Sequence, residues 1–172
     1  MAIFRLNHAV LYVRDLAESV AFYRDVLGFG YIEGGELFQG AAFLRAPGST
    51  NDHDLGLFEI GAQAGPSGAG RATVGLYHLA WEVDTLADLE YLSNALTDAG
   101  ALVGASDHGT TKSLYGKDPS GLEFEIVWII PADLLTDEDR QKAGVARLDL
   151  AAEIAKYGRD ARSGVGISRI LG

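Results

Sequence analysis

Asn7–Ala17 reads NHAVLYVRDLA and Tyr77–Ala87 reads YHLAWEVDTLA. Laid over one another, His8 falls on His78, Val13 on Val83, Leu16 on Leu86 and Ala17 on Ala87. Self-similarity at a fixed offset means that one supersecondary unit is used twice, which restricts the chain to folds built from two like halves. In each copy a strand opening at a histidine runs into a capping residue and then a helix. The last strands match as well. LFEI at Leu57–Ile60 lies over EFEI at Glu123–Ile126, which sets Glu59 over Glu125.

Between those strands the pattern is legible. The first helix is expected over DLAESVAFYRDVLGF, with Asp15 as cap, Glu18 three residues on, an apolar stripe at Leu16, Val20, Tyr23 and Leu27, and Gly28 as stop. The second is expected over DTLADLEYLSNALTDAGA, capped by Asp84 or Thr85, with Leu89, Leu92 and Leu96 as its stripe and Gly100 at its end. Strand-like stretches follow each helix: GYIEG, GAAFLRA and HDLGLFEIG, then ALVGASD, TKSLYGKD and LEFEIVWII. Each half therefore reads β-α-β-β-β. The expected organisation is one α+β domain: a first module over residues 3–61, a linker rich in Gly, Ala and Pro over 62–75, a second module over 76–130, and a helical tail over 131–172.

A half-sheet with one covering helix leaves its other face open, so two halves can enclose a cavity between curved sheets. Side chains alternate along a strand, which lets His8, His78, Glu59 and Glu125 share that face; by parity His53, Leu55, Leu57 and Glu59 share one too. Two imidazoles and one carboxylate form a facial set around a divalent ion and leave other positions open. His8, His78 and Glu125 are the candidate ligands, with Glu59 as a candidate fourth. With no cysteine in the chain, any metal must be held by nitrogen and oxygen. A net charge of −10 argues against a broad nucleic-acid face. No apolar run reaches membrane-span length, and MAIFRLNHAV lacks a signal-peptide layout, so a cytoplasmic protein acting on a small molecule is expected.

From about residue 5 to 130 the chain resembles the vicinal oxygen chelate superfamily of glyoxalases, bleomycin resistance proteins and extradiol dioxygenases, which hold a divalent metal on paired βαβββ modules. His8, His78 and Glu125 stand at that family's ligand positions. Its Asp-Pro-Asp/Ser-Gly turn stands here as Asp118-Pro119-Ser120-Gly121, four residues before Glu125. Within the superfamily NDHDLGLF and YGKDPSG are similar to extradiol dioxygenase segments. That resemblance implies His53 as the acid/base near dioxygen, and Tyr115, ten residues before Glu125, as a hydrogen-bond donor to substrate; His108 lies where another supporting histidine is expected. The implied activity is cleavage of a catechol-like ring beside its diol, with dioxygen as co-substrate and Fe(II) as cofactor; Mn(II), Zn(II) and Ni(II) are alternates. A glyoxalase I-like lyase using His8, Glu59, His78 and Glu125 is the main alternative, and a non-catalytic aromatic-binding protein the other. Trp81 and Trp128 are read as core, TDEDRQKAG as a solvated helical face, and Tyr12 and Phe43 as candidate pocket lining. PADLLTDEDRQKAG and LDLAAEIAKYGRD are expected as short helices able to cover a sheet edge, a cavity end or a second subunit in a homodimer.

Overall fold

The computed structural model describes residues 3, 5–33, 39–69, 72–141 and 144–164. Gly34 of the strand-like GYIEG, Lys142 and Ala143 of an expected helix, Gly70 and Arg71 of the expected linker and residues 165–172 of the expected tail lie outside the described residues. Two compact units emerge: Met1–Gly68 together with Asp118–Gly121, and Ala69–Lys117 together with Leu122–Gly172.

In the first unit β1 (Ala9–Val13), β2 (Gly30–Tyr31), β3 (Ala41–Arg45) and β4 (Leu55–Glu59) form a sheet in the order β1-β4-β3-β2. The β1–β4 pair is parallel and the others antiparallel. Helix α1 (Leu16–Ala21) starts where Asp15, in an extended conformation, accepts a hydrogen bond from the Glu18 amide at 2.9 Å. A π-helical turn, Phe22–Val26, continues it and buries Phe22 and Tyr23 together. Leu11, Val13, Val20, Tyr23, Leu44, Leu55 and Leu57 make the core of this unit.

The Asp-Pro-Ser-Gly turn belongs to this unit. Asp118 is 4 % exposed, and its carboxylate accepts a hydrogen bond from the Tyr23 hydroxyl at 3.2 Å. Ser120 Oγ accepts from the Arg14 amide at 3.0 Å. Burial first, then the Asp118 charge, raises the Tyr23 pKa well above the usual tyrosine range. The native state thus keeps a proton that the unfolded chain releases near pH 10, so Tyr23 lowers stability as pH rises past about 10 and makes no change below it. Tyr23→Phe is expected to flatten that alkaline limb. Urea midpoints measured between about pH 9 and 11 check this, and parallel declines in both proteins would remove Tyr23 as its cause.

In the second unit β5 (Leu79–Glu82), β6 (Leu102–Asp107), β7 (Thr111–Lys117), β8 (Glu123–Ile129) and β9 (Ala146–Arg147) run in the order β5-β8-β7-β6-β9, with β5 parallel to β8. Helix α2 (Leu86–Asp98) begins at Thr85, whose side chain and that of Asp88 make a reciprocal capping box. Its buried stripe is Leu86, Leu89, Leu92 and Leu96, and Gly100 ends it with φ 66°. Leu114, Phe124, Ile126, Trp128 and Ile130 complete this core. Trp128 is wholly buried, as expected; Trp81 is half-buried. Among the described residues no helix is long and apolar enough to cross a membrane.

The tail packs onto this second core. The Trp128 indole donates to the Ala161 carbonyl at 2.9 Å, and its ring lies 5.5 Å from that of Tyr157. Helices α3 (Asp137–Gln141) and α4 (Leu150–Tyr157) carry it. The expected solvated face is corrected at Asp139, which is buried. Its carboxylate accepts from the Thr136 amide and hydroxyl at 3.0 and 2.6 Å and pairs with Lys156 at 2.9 Å. Those bonds outweigh burial and hold its pKa far below the usual carboxylate range.

Candidate functional site

The candidate residues divide between the units. In the second unit His78 immediately precedes β5, and Ala80 on that strand pairs with Glu125 on β8. Phe124, Ile126 and Trp128 point into the core, so Glu125 takes the opposite face by alternation. His78 Nε2 and Glu125 Oε2 approach to 3.0 Å. The other ring nitrogen, His78 Nδ1, is buried without a hydrogen-bond partner. On the antiparallel side of β8, Tyr115 is the direct register partner of Glu125. Its ring meets that of His78 edge-on at 5.8 Å. The Tyr115 hydroxyl lies 2.9 Å from His108 Nε2, on the loop joining β6 and β7. Four of the expected residues, His78, Glu125, Tyr115 and His108, therefore form one connected group. Burial, and then the negative charge of Glu125, raises the Tyr115 pKa above its ordinary value, so the phenol stays protonated through neutral pH.

In the first unit His8 stands just ahead of β1 and His53 just ahead of β4, and their rings lie 4.4 Å apart, tilted by 34°. Parallel pairing of β1 with β4 brings the two strand starts side by side. His8 Nδ1 is 2.7 Å from the Asn7 side-chain oxygen, and His53 Nδ1 is 2.9 Å from Asp52 Oδ2. With each Nδ1 proton donated to that oxygen, each Nε2 carries the free lone pair. The His53 hydrogen bond pulls the Asp52 carboxyl below its usual range. Phe43 meets the His53 ring edge-on at 5.2 Å and Phe58 at 6.0 Å. Tyr12, on the same strand as Val10, is 71 % exposed. Neither Asn7 nor Asp52 is among the candidates named from the sequence; each adjoins a candidate histidine, and that adjacency is the signal that could have found them.

Glu59 is placed differently from the repeat match. Aligning the first strands on His8 and His78, Val10 corresponds to Ala80; Val10 pairs with Gly56 where Ala80 pairs with Glu125. Gly56, not Glu59, is the ladder equivalent of Glu125. Glu59 instead shares the face of Leu55 and Leu57, both fully buried, and its carboxylate accepts from the Leu16 amide at 2.9 Å. There it neutralises an orphan donor at the start of α1, where negative charge is favoured. The matching letters LFEI and EFEI lie three residues out of structural register.

Two ligands about 2.0–2.2 Å from one divalent ion and near a right angle apart are separated by about 3 Å. The 3.0 Å between His78 Nε2 and Glu125 Oε2 fits that requirement. Nitrogen and carboxylate oxygen suit iron, manganese, zinc or nickel. Among the described residues no three His, Cys, Asp or Glu side chains gather into one such cluster.

Residues 5–126 match the family model described as Glyoxalase/Bleomycin resistance protein/Dioxygenase superfamily. Over 130 residues, 71 % of the chain, the sequence is 35 % identical to biphenyl-2,3-diol 1,2-dioxygenase 3 of Rhodococcus globerulus, and the match spans 62 % of that relative's length. The fold is similar to that of a glyoxylase/bleomycin resistance protein/dioxygenase domain from Frankia sp. EAN1pec, with TM-score 0.57 and 23 % identity over 73 % of this chain and 92 % of that one. It is also similar to the fosfomycin resistance protein FosX of Listeria monocytogenes, solved with manganese(II) and a dihydroxypropylphosphonic acid. There the TM-score is 0.58 and identity 18 % over 81 % and 98 % of the two chains. For lactoylglutathione lyase from Agrobacterium tumefaciens the values are 0.52 and 22 %, over 72 % and 92 %.

Proposed function

The chain belongs to the Glyoxalase/Bleomycin resistance protein/Dioxygenase superfamily, and on that premise we propose that it is an extradiol-type dioxygenase opening a catechol-like ring beside its vicinal diol. The observation that carries this reading is the connected group His78, Glu125, Tyr115 and His108: a nitrogen–carboxylate donor pair with a neutral phenol beside it. His78 and Glu125, with His8, would hold the ion, Fe(II) in this reading and Mn(II), Zn(II) or Ni(II) as alternates. The chemistry such an ion supplies is Lewis acidity toward the diol oxygens and electron exchange with dioxygen.

The chain's own residues do the rest. His53, its Nδ1 proton fixed on Asp52, takes a diol proton at Nε2 and returns it to product. With a proton on His108 Nε2 donated to the Tyr115 oxygen, the phenolic proton of Tyr115 is free to be donated to a substrate oxygen as negative charge develops there. The relative from Rhodococcus globerulus supports an aromatic diol as substrate class. A glyoxalase-like lyase would use Glu59 as a fourth ligand, and that carboxylate is occupied on the helix-facing side of β4.

Anaerobic reconstitution with Fe(II), followed by oxygen-electrode and absorbance assays over substituted catechols, tests the reading. Oxygen uptake matched by a ring-opened chromophore is the expected result. No uptake with any catechol, beside lactoylglutathione formation from methylglyoxal and glutathione, would replace it with the lyase. His53→Ala is expected to keep the metal while turnover falls by about 10²–10⁴-fold, the usual contribution of a general acid or base. Loss of metal from that variant would move His53 into the ligand set.

A further inference from the structure

The segment joining β3 to β4 closes around His8 from both sides. On one side the Asn51 side-chain amide donates to the Asn7 carbonyl at 2.7 Å. On the other the Ala9 amide donates to the Asp54 carbonyl at 2.9 Å. His53 lies between these two clamping residues, which is why its ring meets that of His8.

The clamp is anchored at Asp54, a buried carboxylate. Its Oδ2 accepts from the Ala46 amide at 2.8 Å, and its Oδ1 accepts from the Ser49 hydroxyl and the Asn51 amide group, both at 2.7 Å. The Asn51 backbone amide donates to Ser49 Oγ at 3.1 Å, closing the loop on itself. Asn51 thus spends both side-chain hydrogens, one on the anchor and one on the residue before His8. Its side-chain oxygen is buried with no hydrogen-bond partner. Flipping the amide would set that oxygen against a carbonyl and a carboxylate, so the orientation is fixed by its neighbours. A buried acceptor left unmet in a native protein calls for an explanation. Here the two donations supply it.

We propose that Asn51 is a positioning residue that sets the His8 and His53 imidazoles against each other by tying the Asp54-anchored loop to the backbone at Asn7. The proposal rests on the dioxygenase reading only where turnover is measured. Histidine-labelled, metal-free protein followed by NMR reads the ring pair directly. In Asn51→Ala the His8 and His53 ring signals are expected to shift and broaden while those of His78 and His108 stay in place. Asn51→Asp, similar in size but unable to donate, is expected to behave like Asn51→Ala. In the Fe(II)-loaded enzyme kcat is expected to fall on the order of tenfold to 100-fold with KM unchanged, the scale of a small misplacement of reacting groups. If Asn51→Ala loses cooperative unfolding, Asn51→Ser, which keeps one donor, is read instead. Ring signals that move in the variant while the unsubstituted enzyme turns over no catechol would keep the positioning role and discard the dioxygenase reading. Unmoved ring signals in a folded variant would overturn the positioning role whether or not the enzyme is active.

Discussion

Glu125→Ala is expected to yield a folded protein that no longer keeps a divalent ion through desalting and turns over no catechol. Glu125 faces away from Phe124 and Ile126, so its removal opens no core cavity. What it removes is the charged partner of His78, 3.0 Å away, and the carboxylate opposite Tyr115. Residues that merely support a ligand already change metal affinity by about 10–100-fold. Loss of a ligand should exceed that, on the order of 100-fold or more. Metal content by elemental analysis, beside an unchanged unfolding midpoint, checks both halves of the expectation. Wild-type metal stoichiometry in the variant would take Glu125 out of the ligand set and leave it as the partner of a half-buried histidine.

The largest effect on stability is expected at a residue with no part in the chemistry. Lys112 lies on β7, paired in register with Trp128, and is 1 % exposed. Its ammonium sits 2.6 Å from Asp107 and 3.3 Å from Glu153 of α4. An isolated ammonium at that depth would be untenable, and the pair of carboxylates is what permits it. Lys112→Ala leaves both acids without their cation and empties the space of the stem, so a cost of about 3–5 kcal/mol is expected in urea unfolding. Lys112→Met, which refills the space, should cost less. Asp107 also accepts from the Gly109 amide at 2.8 Å, so the hairpin leading to His108 stays tied in both variants. A loss below about 1 kcal/mol in Lys112→Ala would mean that the carboxylates reach water once the cation is gone.

Much of the architecture could be read from the chain because its signals are local. Asp15 and Thr85 cap because their side chains reach amides three residues on. The leucines of α2 are buried because they recur at helical spacing. The histidines opening two matching strands reflect the same periodic logic. Glu59 shows where that logic stops. A four-letter match carries no register, and register is fixed by which residue a parallel neighbour pairs with. The pairing of Val10 with Gly56 is a long-range fact, absent from any window of sequence. Asp139 misleads for a related reason. An acidic run looks solvated until distant Lys156 and Tyr157 turn toward one of its members. Asn51 and Asp54 carry no local mark of their role. Only the folded chain shows that their bonds bracket His8.

The turn at Asp118–Gly121 bears on how such a chain can be divided. A gene cut in the 61–75 segment would give an N-terminal fragment in which Tyr23 has lost its acceptor and the Arg14 amide has lost Ser120. The other fragment would carry the turn without the Tyr23 hydroxyl that donates to Asp118. Neither piece is self-sufficient, so solubility and cooperative melting should return only when the two are made together. The two halves of the repeat are therefore not independent: the later one lends the earlier a corner.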